Sequence, residues 1–137
     1  MRTKIRKTVF SMALPILVAF LCVGAFGQHG YRVTKRVNFK KGEVTATVSG
    51  TIPNKLEVHE YIVRARKGQT LMLNLSHARR STLWFYTMSP SNAMVEEEPA
   101  LRNYTGTLEE SGDYHIFVYT TKGSGKYSLE IQIATDI

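Results

Sequence analysis

The sequence predicts an all-β domain, an antiparallel β-sandwich of about eight short strands. Three observations carry that prediction. Polar and apolar side chains alternate at period two through most of the chain beyond residue 32. Glycine, proline and asparagine pairs interrupt the alternation at roughly the 8–12-residue spacing of sandwich strands. No stretch of the same region has the three-to-four-residue repeat of an amphipathic helix.

The strands are expected in this order. Val33, Lys35 and Val37 through Phe39 suggest a first strand. Glu43 to Ser49 alternates cleanly and is rich in β-branched residues, between the turn pairs Lys41-Gly42 and Pro53-Asn54. Val58 to Ala65 follows, with His59, Tyr61, Val63 and Ala65 on the expected core face. Lys67-Gly68 marks a turn, and Gln69 to Ser76 directs Leu71, Leu73 and Leu75 inward. Thr82 to Met88 is aromatic enough to be buried on both faces near its middle, with Trp84 and Phe85 expected in the core. Arg102 to Glu109 is the next strand. Asp113 to Thr120 places Tyr114, Ile116 and Val118 on one side. Gly125 to Ile133 places Tyr127, Leu129, Ile131 and Ile133 on one face. With no helix to carry a crossover, every pairing is expected to be antiparallel or Greek-key. The long irregular segment Ser89 to Leu101, with Pro90, Pro99 and Glu96-Glu97-Glu98, is expected to be a solvated loop.

The N-terminus belongs to a different category. Arg2, Lys4, Arg6 and Lys7 precede an apolar stretch from about Met12 to Phe26, which ends in Ala25-Phe26-Gly27. This is the pattern of a secretory signal peptide over residues 1–27. The competing reading is an uncleaved anchor. The apolar stretch is shorter than the ~20 residues of a spanning helix, and Pro15 interrupts it. Residues 28–32 read as a flexible tail, and residues 33–137 as one sandwich domain. The chain carries 18 basic and 11 acidic residues. Removal of the leader leaves 14 against 11, a net +3, too weak to imply nucleic acid. No membrane association is expected after cleavage. Cys22, the one cysteine, leaves with the leader, so the apolar core must hold the mature chain together. About 110 residues suffice for one core and not for two.

No catalytic constellation stands out. His29, His59, His77 and His115 show no metal-ligand spacing, and no Gly-x-Ser-x-Gly elbow is present. His59 and His115 read as packing residues within strands. Glu57 and Glu60 lie on or beside one strand, and the loop glutamates are adjacent to one another. Neither group is opposed across a cleft as glycoside chemistry requires. Gly123-Ser124-Gly125 reads as a hairpin turn without a following helix, which excludes a phosphate loop. A non-enzymatic protein with no cofactor and no metal is the expectation. Arg79 and Arg80 read equally as a cationic tip or as a soluble turn.

Two segments repeat one pattern. Ser111-Gly112-Asp113-Tyr114 and Ser124-Gly125-Lys126-Tyr127 both read Ser-Gly-x-Tyr at the start of a late strand. Physically, glycine permits a turn at positive φ, and tyrosine packs its ring inward with its hydroxyl at the rim.

The wider order of motifs adds a resemblance. It runs Val37-x-Phe39-x-Lys41-Gly42, Ala46-Thr47-Val48-Ser49-Gly50, and Tyr61-x-Val63-x-Ala65-x-Lys67-Gly68-Gln69. It continues with Leu108-x-x-Ser111-Gly112-Asp113-Tyr114 and Lys126-Tyr127-Ser128-Leu129-x-Ile131. This order resembles the periplasmic inhibitors of goose-type lysozyme and the broader pre-peptidase C-terminal β-sandwich domains. The resemblance covers nearly all of Val37 to Ile133. It implies an eight-stranded sandwich in the periplasm or outside the cell. The implied partner is a goose-type lysozyme or another cell-wall hydrolase. It also implies that Ser111, Gly112, Asp113 and Tyr114, or secondly Ser124, Gly125, Lys126 and Tyr127, enter the enzyme's cleft. Their serine and tyrosine hydroxyls would then bond to the catalytic carboxylate. The alternative implied by the second family is a carbohydrate-binding or targeting module, with cell-wall glycan as ligand and Tyr86 or Tyr119 as contact residues. The acid-rich, glycine-poor Ser89–Leu101 loop departs from the inhibitor pattern.

Overall fold

A computed structural model describes residues 30–78, 82–98 and 101–135. The expected signal peptide, the Arg79-Arg80-Ser81 tip and Pro99 lie outside the described residues. The described residues form eight strands: β1 (Tyr31–Arg36), β2 (Thr45–Ile52), β3 (Glu57–Ala65), β4 (Gln69–His77), β5 (Leu83–Met88), β6 (Asn103–Thr107), β7 (Gly112–Thr120) and β8 (Gly125–Thr135). They make two four-stranded sheets, ordered β1-β3-β7-β5 and β2-β8-β4-β6. The fold is an all-β sandwich.

Period-two alternation builds the core, because each strand sends every second side chain between the sheets. Leu71, Leu73 and Leu75 on β4 and Leu129, Ile131 and Ile133 on β8 are buried from one side. Tyr61, Val63, Phe85, Tyr114, Ile116 and Val118 meet them from the other. Each fully buried Leu, Ile, Val or Phe stabilises the fold by about 1.5–3 kcal/mol relative to exposure. With no cysteine among the described residues, this packing does the work a disulfide does in many exported domains.

Several expectations are corrected. Tyr31 and Arg32, read as tail, belong to β1. β1 pairs with β3 in parallel, not antiparallel. No crossover helix is needed, because successive strands alternate between the sheets throughout and β2 carries the chain across and back. For the same reason Gly123-Ser124, read as a hairpin turn, is an arch from one sheet to the other, as is the turn at Lys67-Gly68. Trp84 is not in the core with Phe85. It is half-buried on the outer face, with the Arg102 guanidinium 4.2 Å from its ring centre.

The loop after β5 also differs from its expectation. Glu97 and Glu98 are exposed, but Glu96 is only 3% exposed. Its Oε2 accepts the Thr87 backbone N–H at 2.9 Å. Val95 N–H donates to the Thr87 carbonyl, and Phe85 and Leu101 exchange bonds in both directions. The loop therefore runs back along the outer edge of β5 and satisfies the backbone groups that an edge strand leaves open. The carboxylate of Glu96 substitutes for one carbonyl in that ladder.

Candidate functional site

The two Ser-Gly-x-Tyr segments stand at opposite ends of the sandwich. Ser111 precedes β7, and Ser124 follows it. β7 itself spans nine residues, about 27 Å at about 3.4 Å per residue. One cleft therefore cannot take both segments together, and the two stand as alternatives.

At the first end, Gly112 has a φ of 140°, a conformation that side chains of L-residues rarely adopt. A β-carbon there would stand 3.0 Å from Pro90, so glycine also allows the Ser89–Glu98 segment to close over the turn. Ser111 Oγ accepts the Lys67 N–H at 2.9 Å. Gly68 N–H donates to the Leu108 carbonyl at 2.9 Å, and Leu108 N–H donates to the Gln69 carbonyl at 2.8 Å. Ser91 Oγ donates to Glu110 Oε2 at 2.8 Å. Three loops are thus tied to one another at this tip. Asp113 sits beside them in a two-point ion pair with Arg36, at 3.1 and 2.7 Å. The Arg36 hydrogen bond holds the Asp113 carboxyl below its usual range.

Tyr114 does not reach out of this tip. It is 1% exposed. Its hydroxyl donates to the Glu110 carbonyl at 2.7 Å and accepts the Glu110 N–H at 3.2 Å. Desolvation raises its pKa. The phenol braces the loop from beneath, as in the tyrosine corners of other sandwiches. The exposed groups of the motif are Ser111 and, in part, Asp113. Ser111 accepts through its oxygen and keeps its own O–H to donate.

At the second end Tyr127 is also buried. Its hydroxyl lies 2.6 Å from His59 Nδ1 and 2.5 Å from the Tyr61 hydroxyl, and His59 Nε2 lies 2.7 Å from Glu57 Oε2. A carboxylate only accepts, so His59 Nε2–H donates to Glu57. With the ring neutral, Nδ1 accepts from Tyr127, and Tyr127 accepts from Tyr61. Because Tyr127 belongs to one sheet and His59 and Tyr61 to the other, the chain is a polar lock between sheets. Burial, then the Tyr61 bond, pushes the Tyr127 phenol far above its ordinary value. The turn glycine of this arch is Gly123, with a φ of 73°, and not the motif's Gly125, which pairs with Ile52 inside β8. Ser124 and Lys126 are exposed.

The first tip also carries charge and relief. Arg64, Arg66 and Lys67 are exposed around it. A hollow of about 380 Å³ opens between Phe39, Val44, Arg64, Arg66 and Gln69. A second, about 210 Å³, lies between the Ser89–Val95 segment and Glu109-Glu110. Sequence reasoning read Lys67 as a turn residue only. Its backbone bond to Ser111 depends on a contact 44 positions away, which no local pattern signals. Among the described residues no three His, Cys, Asp or Glu side chains converge as a metal site.

Comparison with solved structures matches this architecture. The fold is that of the periplasmic inhibitors of g-type lysozyme. PliG of Aeromonas hydrophila, described as such an inhibitor, superposes with a TM-score of 0.67 at 23% identity, covering 76% of this chain and 98% of that one. PliG of Salmonella Typhimurium gives a TM-score of 0.57 at 28% identity with the same coverage. The pre-peptidase C-terminal domain of a Bacillus anthracis collagenase gives 0.55 at 10% identity, covering 77% and 99%. No family model matches the chain, and no curated protein matches it in sequence. The matched sandwiches include both families that the sequence resembles.

Proposed function

We propose that this chain is an exported, periplasmic, non-enzymatic inhibitor of a goose-type lysozyme, and that the Ser111 end of the sandwich enters the substrate cleft. The observation that carries this reading is the likeness to the Salmonella PliG inhibitor, which spans 98% of that protein at 28% identity.

The tip has the physical properties an inserted plug requires. Its loops are mutually hydrogen-bonded and braced by Tyr114, so insertion orders few new side chains and loses little entropy. Ser111 can donate its O–H to a carboxylate in the cleft, in place of a sugar hydroxyl. Arg64, Arg66 and Lys67 favour approach to a cleft lined by carboxylates, as glycosidase clefts are. Gly112 and Asp113 shape and flank the contact. Tyr114 acts as a positioning residue and does not touch the enzyme. The Ser124–Tyr127 end, facing the other way, is assigned to the scaffold.

Amide hydrogen exchange with and without a goose-type lysozyme tests this. Protection is expected at the Arg66–Gly68 and Ser111–Asp113 amides. Unchanged exchange there, or protection at Thr121–Lys126 instead, overturns the assignment.

A further inference from the structure

The Ser124 end of the sandwich, which the lysozyme contact leaves unused, has a composition that scaffolding does not require. Three features meet there: the 53–56 loop between β2 and β3, the 121–124 arch between β7 and β8, and the point where the chain enters β1 at Gly30. Tyr31 and Leu56 are the two most exposed large apolar side chains among the described residues, at 64% and 57%. They are neighbours, since the Tyr31 N–H donates to the Leu56 carbonyl at 2.7 Å. A hollow of about 190 Å³ continues from them to Val58 and Phe117.

The turn itself presents Leu56. Asn54 Oδ1 accepts the Leu56 N–H at 2.9 Å, and the Asn54 carbonyl accepts the Glu57 N–H at 3.2 Å. Pro53 and Asn54 thus satisfy the turn, and a polar residue at position 56 would serve it as well. Positive charge shares this end. Lys55, Lys122 and Lys126 are exposed, and among the described residues no carboxylate pairs with them. Glu57, the acid nearest to Lys55 in sequence, is occupied by His59 at 2.7 Å. A net +3 averaged over the chain without its leader implies no membrane. The fold, however, gathers unpaired lysines and exposed apolar side chains at one end.

We propose that this end docks reversibly on an anionic lipid bilayer, with Tyr31 and Leu56 entering the headgroup layer and Lys55, Lys122 and Lys126 meeting the lipid phosphates. Attachment of a folded domain to a bilayer takes apolar insertion and cationic attraction together, and this end supplies both. A tyrosine has the apolar body and polar tip that suit the boundary between lipid and water. Chain direction agrees. Only Gln28 and His29 separate Gly30 from the expected cleavage point after Gly27, so this end is next to the bilayer for as long as the leader is attached. Docked this way, the sandwich holds its Ser111 end away from the lipid by the length of β7, about 27 Å at about 3.4 Å per residue. The proposal does not rest on the inhibitory reading, because it uses none of the Ser111-end residues.

The test is co-sedimentation of the exported protein, purified with its native N-terminus, with vesicles of equal parts phosphatidylglycerol and phosphatidylcholine. Binding is expected at low salt and is expected to reverse at high salt, with none to phosphatidylcholine alone. Lys55→Gln and Lys122→Gln are each expected to weaken binding about fivefold, and Leu56→Ser about tenfold. Lys41→Gln, in the loop after β1 at the opposite end, is expected to leave it unchanged. Leu56 is exposed, so Leu56→Ser keeps its fold and its lysozyme inhibition. No sedimentation with the anionic vesicles overturns the proposal, as does binding that Leu56→Ser leaves unchanged. An equal loss in Lys41→Gln overturns it too, because overall charge and not this end would then be acting. Loss of lysozyme inhibition in Leu56→Ser, with no vesicle binding by the wild type, assigns the end to the enzyme and overturns it. A dimer that Leu56→Ser dissolves assigns the apolar pair to a second copy and also overturns it.

Discussion

Replacing Tyr114 by Phe separates bracing from contact. The ring stays in its buried place, and only the hydroxyl is lost. That hydroxyl makes two hydrogen bonds, both to the backbone of Glu110. Each intramolecular bond contributes about 0.5–1.5 kcal/mol net, and a donor or acceptor left without a partner costs about 1–3 kcal/mol. Glu110 is partly exposed, so water recovers some of the loss. We expect a destabilisation of about 1–2 kcal/mol, which for a domain of roughly 100 residues lowers Tm by about 5–10 °C. Urea unfolding should show a lower midpoint with an unchanged slope, the mark of lost stability without a changed fold. Inhibition by the folded variant should weaken modestly, through a looser Ser111 loop, and less than in Ser111→Ala. A variant with wild-type Tm and inhibition reduced tenfold or more would refute the reasoning, because the hydroxyl would then be meeting the enzyme and not Glu110.

Three further outcomes follow from other residues. Gly112→Ala meets both a φ of 140° and a 3.0 Å approach to Pro90; it should cost about 1–3 kcal/mol and weaken inhibition, read by thermal unfolding and a lytic assay together. The Asp113 carboxyl is depressed in the folded state by Arg36. Its contribution is therefore present above the unfolded value near 4 and disappears as pH falls through the lower folded value, so urea midpoints between pH 2 and about 6 should fall less steeply in Asp113→Asn. The Tyr127 phenol is raised instead. Above about pH 10 the unfolded chain loses that proton while the native one retains it, so stability falls as pH rises; Tyr127→Phe should flatten the fall, measured by circular dichroism alongside tyrosinate absorbance.

Much of the fold was legible in the sequence because its signal is local. The inward sets Leu71-Leu73-Leu75, Tyr114-Ile116-Val118 and Tyr127-Leu129-Ile131-Ile133 follow from period-two alternation alone, and the structure buries each of them. The parallel β1–β3 pair was not legible, since pairing direction depends on which sheet each arch enters. Turn residues look alike in arches and hairpins. Glu96 was misread because a charge run is ordinarily solvated, and nothing nearby in sequence reveals that its carboxylate closes the edge of β5. Trp84 was misread because both sides of an aromatic strand look equally apolar. The Ser-Gly-x-Tyr segments were found as motifs, and their physical reading, ring inward, proved correct for both tyrosines. Their hydroxyls turned out to serve the protein's own interior. Separating the two segments required the run of β7 between them.

Titrating a goose-type lysozyme with the purified protein, and following clearance of a cell-wall suspension, addresses the central claim most directly. Lytic activity should fall linearly and vanish near one equivalent, with hen-type lysozyme affected far less. Undiminished clearance at a tenfold excess of correctly folded protein would contradict the account.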